Sequence, residues 1–251
     1  VYREVAIPGL GVLWMASPSE HATIIPADGC ADLILRDDEL ILAGPSTRWL
    51  VAQGSRQGPT VGLRFTPGFA GVLLDAEAAE VRDRILPARD LLSASLSGRG
   101  ERALRAPIRA RNLHEAAGAV AGALDLDPDI ADLRWTAIVS AAASRGEPLP
   151  RLAARLGYSE RQLRRRMQQS FGYGYAALRG VLRAERARGM LVGGALPAEV
   201  AQRAGYADQS HMTRDFARII GSTPARLTAT STPAPPTATS ASAAPRVTVP
   251  A

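Results

Sequence analysis

The sequence predicts an α+β protein, with a small β-barrel plus helices in its N-terminal half and an all-α C-terminal half. Three observations carry that prediction. A helix, a glycine-containing turn and a second helix occur twice between Pro148 and Leu227. Short apolar runs broken by Pro, Gly or Asp fill the chain up to about Leu74. Charge is divided between the halves, with 15 Arg against 6 acidic residues in 145–227 and 14 Arg against 18 acidic residues in 1–144. Self-similarity comes first because it fixes architecture before local propensity does.

The two copies align closely. Ala153, Gly157 and Tyr158 match Ala201, Gly205 and Tyr206 at a spacing of 48, and Leu163, Met167 and Gly172 match Met212, Phe216 and Gly221 at 49. The second turn is therefore one residue longer. In the first copy Leu152, Ala153 and Leu156 form the apolar stripe of a two-turn helix. Gly157 stands where a helix C-terminus needs a residue tolerant of positive φ. Ser159 is placed to cap the next helix, in which Leu163, Met167 and Phe171 face inward. Arg161, Arg164, Arg165 and Gln168 are left on the outer face. In the second copy Asp208 is the expected cap, Met212, Phe216, Ile219 and Ile220 form the inner stripe, and Ser210, Thr213, Arg214 and Ala217 lie outside. Tyr175 to Leu191 reads as one helix joining the units, with Arg179, Arg183, Arg186 and Arg188 making its exposed side basic.

A run of charges is usually a solvated face. Here three arginines and a glutamine share one face without acidic relief, in the basic half of the chain. The guanidinium fork suits phosphate and guanine O6/N7, and glutamine suits adenine. A basic segment beside a mildly acidic one is the electrostatic footprint of a nucleic-acid binder. All 30 basic residues are Arg, so their number reflects composition and their placement carries the inference.

The motifs Leu-Ala-x-x-Leu-Gly-Tyr-Ser-x-Arg-x-Leu-x-Arg from Leu152 and Gly-Tyr-x-Asp-Gln-Ser-His-Met-x-Arg-x-Phe from Gly205 flank the linking segment Leu182–Leu191, and Gly-Ser-Thr-Pro follows from Gly221. On these residues the stretch from about 130 to 227 resembles the DNA-binding domain of AraC-type transcriptional regulators. Met167 departs from the family pattern, in which an aromatic residue is common there. The resemblance implies that the second helix of each unit enters the major groove. It makes Arg161, Arg164, Arg165, Ser210, Thr213 and Arg214 the base-edge candidates. Ser159, Gln168, Arg183, Arg186, Gln209 and His211 become backbone or framework contacts.

In the N-terminal half, apolar runs beginning at Val5, Thr23, Ala31, Leu40, Thr47 and Thr60 are spaced as the short strands of a barrel or sandwich. Pro26-Ala-Asp-Gly-Cys-Ala-Asp-Leu-Ile, Ala43-Gly-Pro-Ser-Thr and Gly62-Leu-Arg-Phe-x-Pro-Gly resemble the cupin-like N-terminal domains of some AraC-type regulators. Asp28, Asp32, Arg48, Trp49, Arg64 and Phe65 are candidates for an effector pocket, since a barrel mouth with a few polar groups and a ring suits a small molecule. Ordinary turn and strand roles account for them equally well. A metal-dependent cupin needs several His and a carboxylate on one ion; only His21 lies here, with His114 far along the chain, so neither metal nor cofactor is expected. Cys30 has no nearby His to act as base, and a lone cysteine is most often a small buried hydrophobe.

Residues 76–85 read as a helix ending before Pro87, 98–124 as a further helical region bearing Leu104, Ile108, Leu113, Val120 and Leu124, 125–129 as a connector, and 129–144 as a helix packed through Trp135. The expected domains are a cupin-like sensor or dimerisation domain at 1–125, a double helix-turn-helix domain at 126–227, and a disordered Pro/Thr/Ser/Ala tail at 228–251. A single cysteine suits a reducing cytosol. No apolar run approaches the ~18 residues of a membrane span, and a secretory signal pattern is absent.

The expected function is a non-enzymatic, cytoplasmic bacterial transcription regulator on double-stranded DNA. RNA polymerase, a small-molecule effector and a homodimer through the N-terminal domain are further candidate partners. Two alternatives stay open: a cupin-type small-molecule binder or enzyme with a helical appendage, and a repair regulator that senses alkylation through cysteine.

Overall fold

The structure, a computed structural model, describes residues 1–55, 57–74, 77–126 and 130–229. The predicted tail beyond 229 and most of the 125–129 connector lie outside the described residues. The N-terminal half holds β1 (Tyr2–Ile7), β2 (Gly11–Ala16), β3 (Thr23–Ile25), β4 (Asp32–Arg36), β5 (Glu39–Ala43), β6 (Leu50–Ala52), β7 (Thr60–Phe65), the short helix α1 (Ala70–Leu73) and β8 (Ile85–Pro87). The helices α2 (Ala94–Arg109), α3 (Leu113–Leu124), α4 (Ile130–Ser144), α5 (Leu149–Arg155), α6 (Glu160–Phe171), α7 (Tyr175–Val192), α8 (Pro197–Ala204), α9 (Gln209–Ile219) and α10 (Pro224–Ala229) follow.

The α+β class stands, but the sheet is not a closed barrel. Six antiparallel strands run in the order β1-β2-β7-β4-β5-β8, and β3 pairs with β6 in a separate ribbon. The outer strands β1 and β8 share no ladder among the described residues, and Pro87 at the end of β8 lacks an N–H to extend it. Helices replace the missing strands as cover. Leu96, Leu104, Leu113, Val120 and Leu124 of α2 and α3 share one buried core with Leu13, Leu33, Val61, Leu63 and Phe65 of the sheet. Because side chains alternate along a strand, Arg64 of β7 lies on the opposite face from Leu63 and Phe65. That second face also carries Asp32, the Cα partner of Arg64, and Trp14, whose ring lies so close over Gly62 that a Cβ there would stand 2.3 Å from it.

Three sequence expectations need correction. Residues 77–84 form turns instead of the predicted helix, while 75–76 lie outside the described residues. Asp83 sits at φ 57°, and its carboxylate accepts from the Thr47 amide (2.6 Å) and the Thr47 hydroxyl (2.8 Å), so tertiary bonds override the Ala/Glu helix propensity. The 98–124 region is two helices broken after Pro107 and Ala110, with Asn112 capping the second through the Glu115 amide. Strands β2 and β8 were not anticipated; β2 returns directly from β1, with Gly9 at φ 77° in the turn between them.

The C-terminal half has two cores that meet along α7. Trp135, Leu152, Leu163, Met167, Phe171 and Leu178 form the first; Val181, Val200, Met212, Phe216 and Ile219 form the second, which also buries Ala27 of the N-terminal half.

Candidate nucleic-acid interface

Each helix-turn-helix unit is built as its residues dictate. Gly157 and Gly205 end α5 and α8 with φ of 69° and 80°, a conformation glycine adopts without steric cost. The Ser159 hydroxyl accepts from the Gln162 amide and the Gln162 side chain accepts from the Ser159 amide, a complete capping box. Asp208 caps α9 by accepting from the His211 amide at 2.6 Å. Leu163, Met167 and Phe171 on α6 and Met212, Phe216 and Ile219 on α9 are fully buried. With the inner faces anchored, the opposite faces are fixed outward.

All six base-edge candidates are exposed: Arg161, Arg164 and Arg165 on α6, and Ser210, Thr213 and Arg214 on α9. Arg161, Arg165 and Arg214 make no hydrogen bond or ion pair among the described residues, and so hold their donors available. Arg164 donates to Glu160 one turn back, and the Thr213 hydroxyl donates to the Gln209 carbonyl at 2.9 Å. Gln168 and Gln209 are also exposed.

The linking helix behaves differently from its sequence pattern. Arg183 donates to Asp215 of α9 at 2.7 Å, lies 3.3 Å from the His211 ring nitrogen, and sits over the Tyr206 ring with its carbon 4.3 Å from the centroid. Arg188 donates to Glu185 at 2.9 and 2.7 Å, and Arg186 donates to the Ser144 carbonyl at the end of α4. Arg183 and Arg186 brace α7 against α9 and α4, and Arg188 pairs within α7, so much of its basic side is engaged within the chain. Burial pushes the Tyr206 hydroxyl up to about 12, with Asp215 adding to the rise.

Arg166 was not singled out from the sequence. It points away from the outer face, donating to Asp132 of α4 at 2.7 Å and to the Tyr158 hydroxyl, with its carbon 4.5 Å from the Trp135 ring centroid. Its placement one position after Arg165, off the outer stripe, was the available signal.

The N-terminal half docks behind these helices and leaves their outer faces open. The Tyr173 hydroxyl donates to the Gly29 carbonyl at 2.8 Å, the Ala27 amide to the Ile219 carbonyl at 2.8 Å, and the Trp49 amide to the Arg218 carbonyl at 3.3 Å. Gly172 meets the Ala78 carbonyl so closely that a Cβ would lie 2.5 Å from it. The N-terminal half thus holds both units at or just beyond the C-terminal ends of α6 and α9.

The six effector-pocket candidates do not share one lining. Asp28, Asp32 and Arg64 converge, with Arg64 Nε 2.8 Å from Asp28 and 3.5 Å from Asp32. Trp14 donates to Asp32 at 2.8 Å, and the Cys30 amide donates to Asp28 at 2.9 Å. Phe65 lies in the other core, stacked on Phe69 with ring centroids 5.1 Å apart. Arg48 is exposed beside Asp83, and Trp49 packs at the junction with Gly221. Burial raises Asp32 above the ordinary carboxylate range, and nearby Asp28 adds to the rise against the opposing pull of Arg64. Burial likewise pushes the Cys30 thiol up, the direction that makes a thiol inert. Among the described residues no group of three His, Cys, Asp or Glu side chains is placed to hold a metal ion, and no helix is long and apolar enough to cross a membrane.

With this geometry in view, residues 152–230 match the model of the helix-turn-helix domain family. Over this segment the chain is similar to helix-turn-helix domains. The segment spans α5 to α10 and contains every base-edge candidate. No curated protein matches the sequence. Among solved structures the chain aligns with ToxT from Vibrio cholerae at 1.65 Å resolution, with 12% identity, 90% of this chain and 97% of that one covered, and a TM-score of 0.45. A second ToxT structure, bound to (E)-4-(8-methylnaphthalen-1-yl)but-3-enoic acid, aligns with 12% identity over 90% and 98% of the two chains at a TM-score of 0.44. Arg161 and Arg165 of α6 and Arg214 of α9, exposed and without a hydrogen bond or ion pair among the described residues, all lie within the matched segment.

Proposed function

We propose that the chain is a sequence-specific transcription regulator that binds double-stranded DNA with α6 and α9 in successive major-groove segments. One observation carries this: both second helices present unpaired outer side chains while the rest of the chain is docked behind them. The 18 residues of α7 span about 27 Å, a length suited to setting two probes about one duplex turn apart, near 34 Å. Phosphate contacts supply most of the affinity, and the six outer residues supply sequence choice. The chain acts where the DNA is, in the cytoplasm of a bacterium, and performs no catalysis of its own. The N-terminal half is its sensing part, responding to a small molecule, and RNA polymerase and a second copy of the chain are its further partners.

Selection of duplexes from a random library by the full-length chain tests this. An asymmetric motif with two reads about 10 base pairs apart is expected. Failure to enrich any motif, or enrichment of one short contiguous read, would overturn the two-probe assignment.

A further inference from the structure

A cleft of about 420 Å³ opens between α1, α4 and α6 and shares no lining residue with the Asp28–Arg64–Asp32 cluster. Its size is within the range of small-molecule sites. Val72 of α1 and Leu133 of α4 give it apolar walls, while Thr136, Gln169 and Arg165 give it polar ones. Its base is set by backbone contact: a Cβ at Gly71 would lie 2.5 Å from the Gln169 carbonyl oxygen, and one at Gly68 would lie 2.6 Å from the Thr136 methyl. Such close approach leaves little room for the base to collapse.

Charge decides what the cleft would take. Arg166 also lines it, but its guanidinium is already matched by Asp132 and the Tyr158 hydroxyl. Arg165 is the cationic group of the lining left without a hydrogen bond or ion pair among the described residues. A guanidinium beside an apolar wall suits a carboxylate or phosphate monoester carried on an apolar body, because both anions accept its paired N–H groups.

We propose that this cleft binds a small organic anion through Arg165, and that the bound anion withdraws Arg165 from DNA. The competition rests on α6 being a reading helix; the binding site does not. One guanidinium cannot donate its fork to both partners, so the position of Arg165 at the edge between cleft and outer face couples occupancy to DNA affinity.

Calorimetric titration of the full chain tests the site, with 3-phenylpropanoate and phenyl phosphate as the anions and 3-phenylpropan-1-ol as the neutral control. Binding of at least one anion, one per chain, is expected, without binding of the alcohol. Arg165→Gln should weaken that anion about tenfold or more, and Val72→Trp should do the same by filling the cleft without touching Arg165. Saturating anion should weaken the wild-type chain on its selected duplex about tenfold and leave the folded Val72→Trp chain unaffected. Absence of saturable binding by either anion, or binding undiminished in both variants, would overturn the site. An Arg165→Gln chain that loses the anion yet keeps full DNA affinity would overturn the competition and remove Arg165 from the reading surface. Reduced DNA affinity in that variant without anion binding by the wild type would leave the DNA assignment standing and the cleft refuted.

Discussion

Arg166 of α6 and Asp215 of α9 occupy equivalent positions in the two reading units, 49 residues apart, and carry opposite charges. Each ties its helix to the preceding scaffold beside a tyrosine from the turn. Arg166 reaches Asp132 on α4 next to Tyr158, and Asp215 receives Arg183 from α7 next to Tyr206. The same mechanical task, fixing the rotation of a reading helix, is met with the polarity reversed.

Removing one partner of such a half-buried pair leaves the other desolvated. Asp215→Ala strips Arg183 of its anion and should cost ~1.5–3 kcal/mol of stability. Urea unfolding of the variant measures it. A change within error of zero would mean that Arg183 simply turns to solvent.

Base readers and braces should separate on DNA. Arg214→Ala should cost ~1–3 kcal/mol on the selected duplex and little on random DNA. Arg164→Ala should cost less, because its guanidinium must first leave Glu160. Arg183→Ala should lower stability and affinity together without shifting sequence preference. Fluorescence anisotropy on matched and scrambled duplexes, repeated across a salt series, reads all three; equal losses on both duplexes for Arg214→Ala would demote it to a phosphate contact.

The buried cluster on the second face of the sheet gives a pH dependence of definite sign. Asp32 is raised in the folded chain, chiefly by burial, so between the ordinary carboxylate value and the higher folded one the native state holds a proton that the unfolded chain has lost. Its contribution is complete below the ordinary carboxylate value and declines as pH rises through the higher folded value. Asp32→Asn keeps an acceptor for Trp14 and should flatten that decline. Arg64→Met, which leaves two buried carboxylates without a cation, should instead cost ~3–5 kcal/mol at neutral pH. Thermal unfolding from mildly acidic to neutral pH distinguishes them; a steeper decline for Asp32→Asn would refute the assignment.

The junction between the halves has a buried hydroxyl to test, that of Tyr173. Tyr173→Phe deletes the bond to the Gly29 carbonyl and leaves that oxygen unpaired, at a cost of ~1–3 kcal/mol. Hydrogen exchange at residues 27–31 should accelerate in the variant while the inner faces of α6 and α9 stay protected. Unchanged exchange there would show that the contact does not hold the halves together.

Local chemistry was enough to make the reading units legible. The glycines at 157 and 205, the caps Ser159 and Asp208, and apolar residues at helical spacing each act within one or two turns, so their pattern survives in the sequence and fixes which side chains face out. Residues 77–84 show the opposite case, because Asp83 serves a loop 36 residues away and no local pattern records that demand. Strand β2 was hidden similarly, its apolar run lacking the alternation that a strand with one wet face displays.

By itself, then, the sequence determined the paired helices, their turns, their outward arginines and the division of charge. Only the tertiary structure decided that the sheet stays open under α2 and α3, that Arg183 and Arg166 brace instead of reach, and that Arg165 borders a cleft. Those outcomes depend on which distant groups meet and compete for the same donor or the same apolar cover, and chain spacing does not encode such meetings.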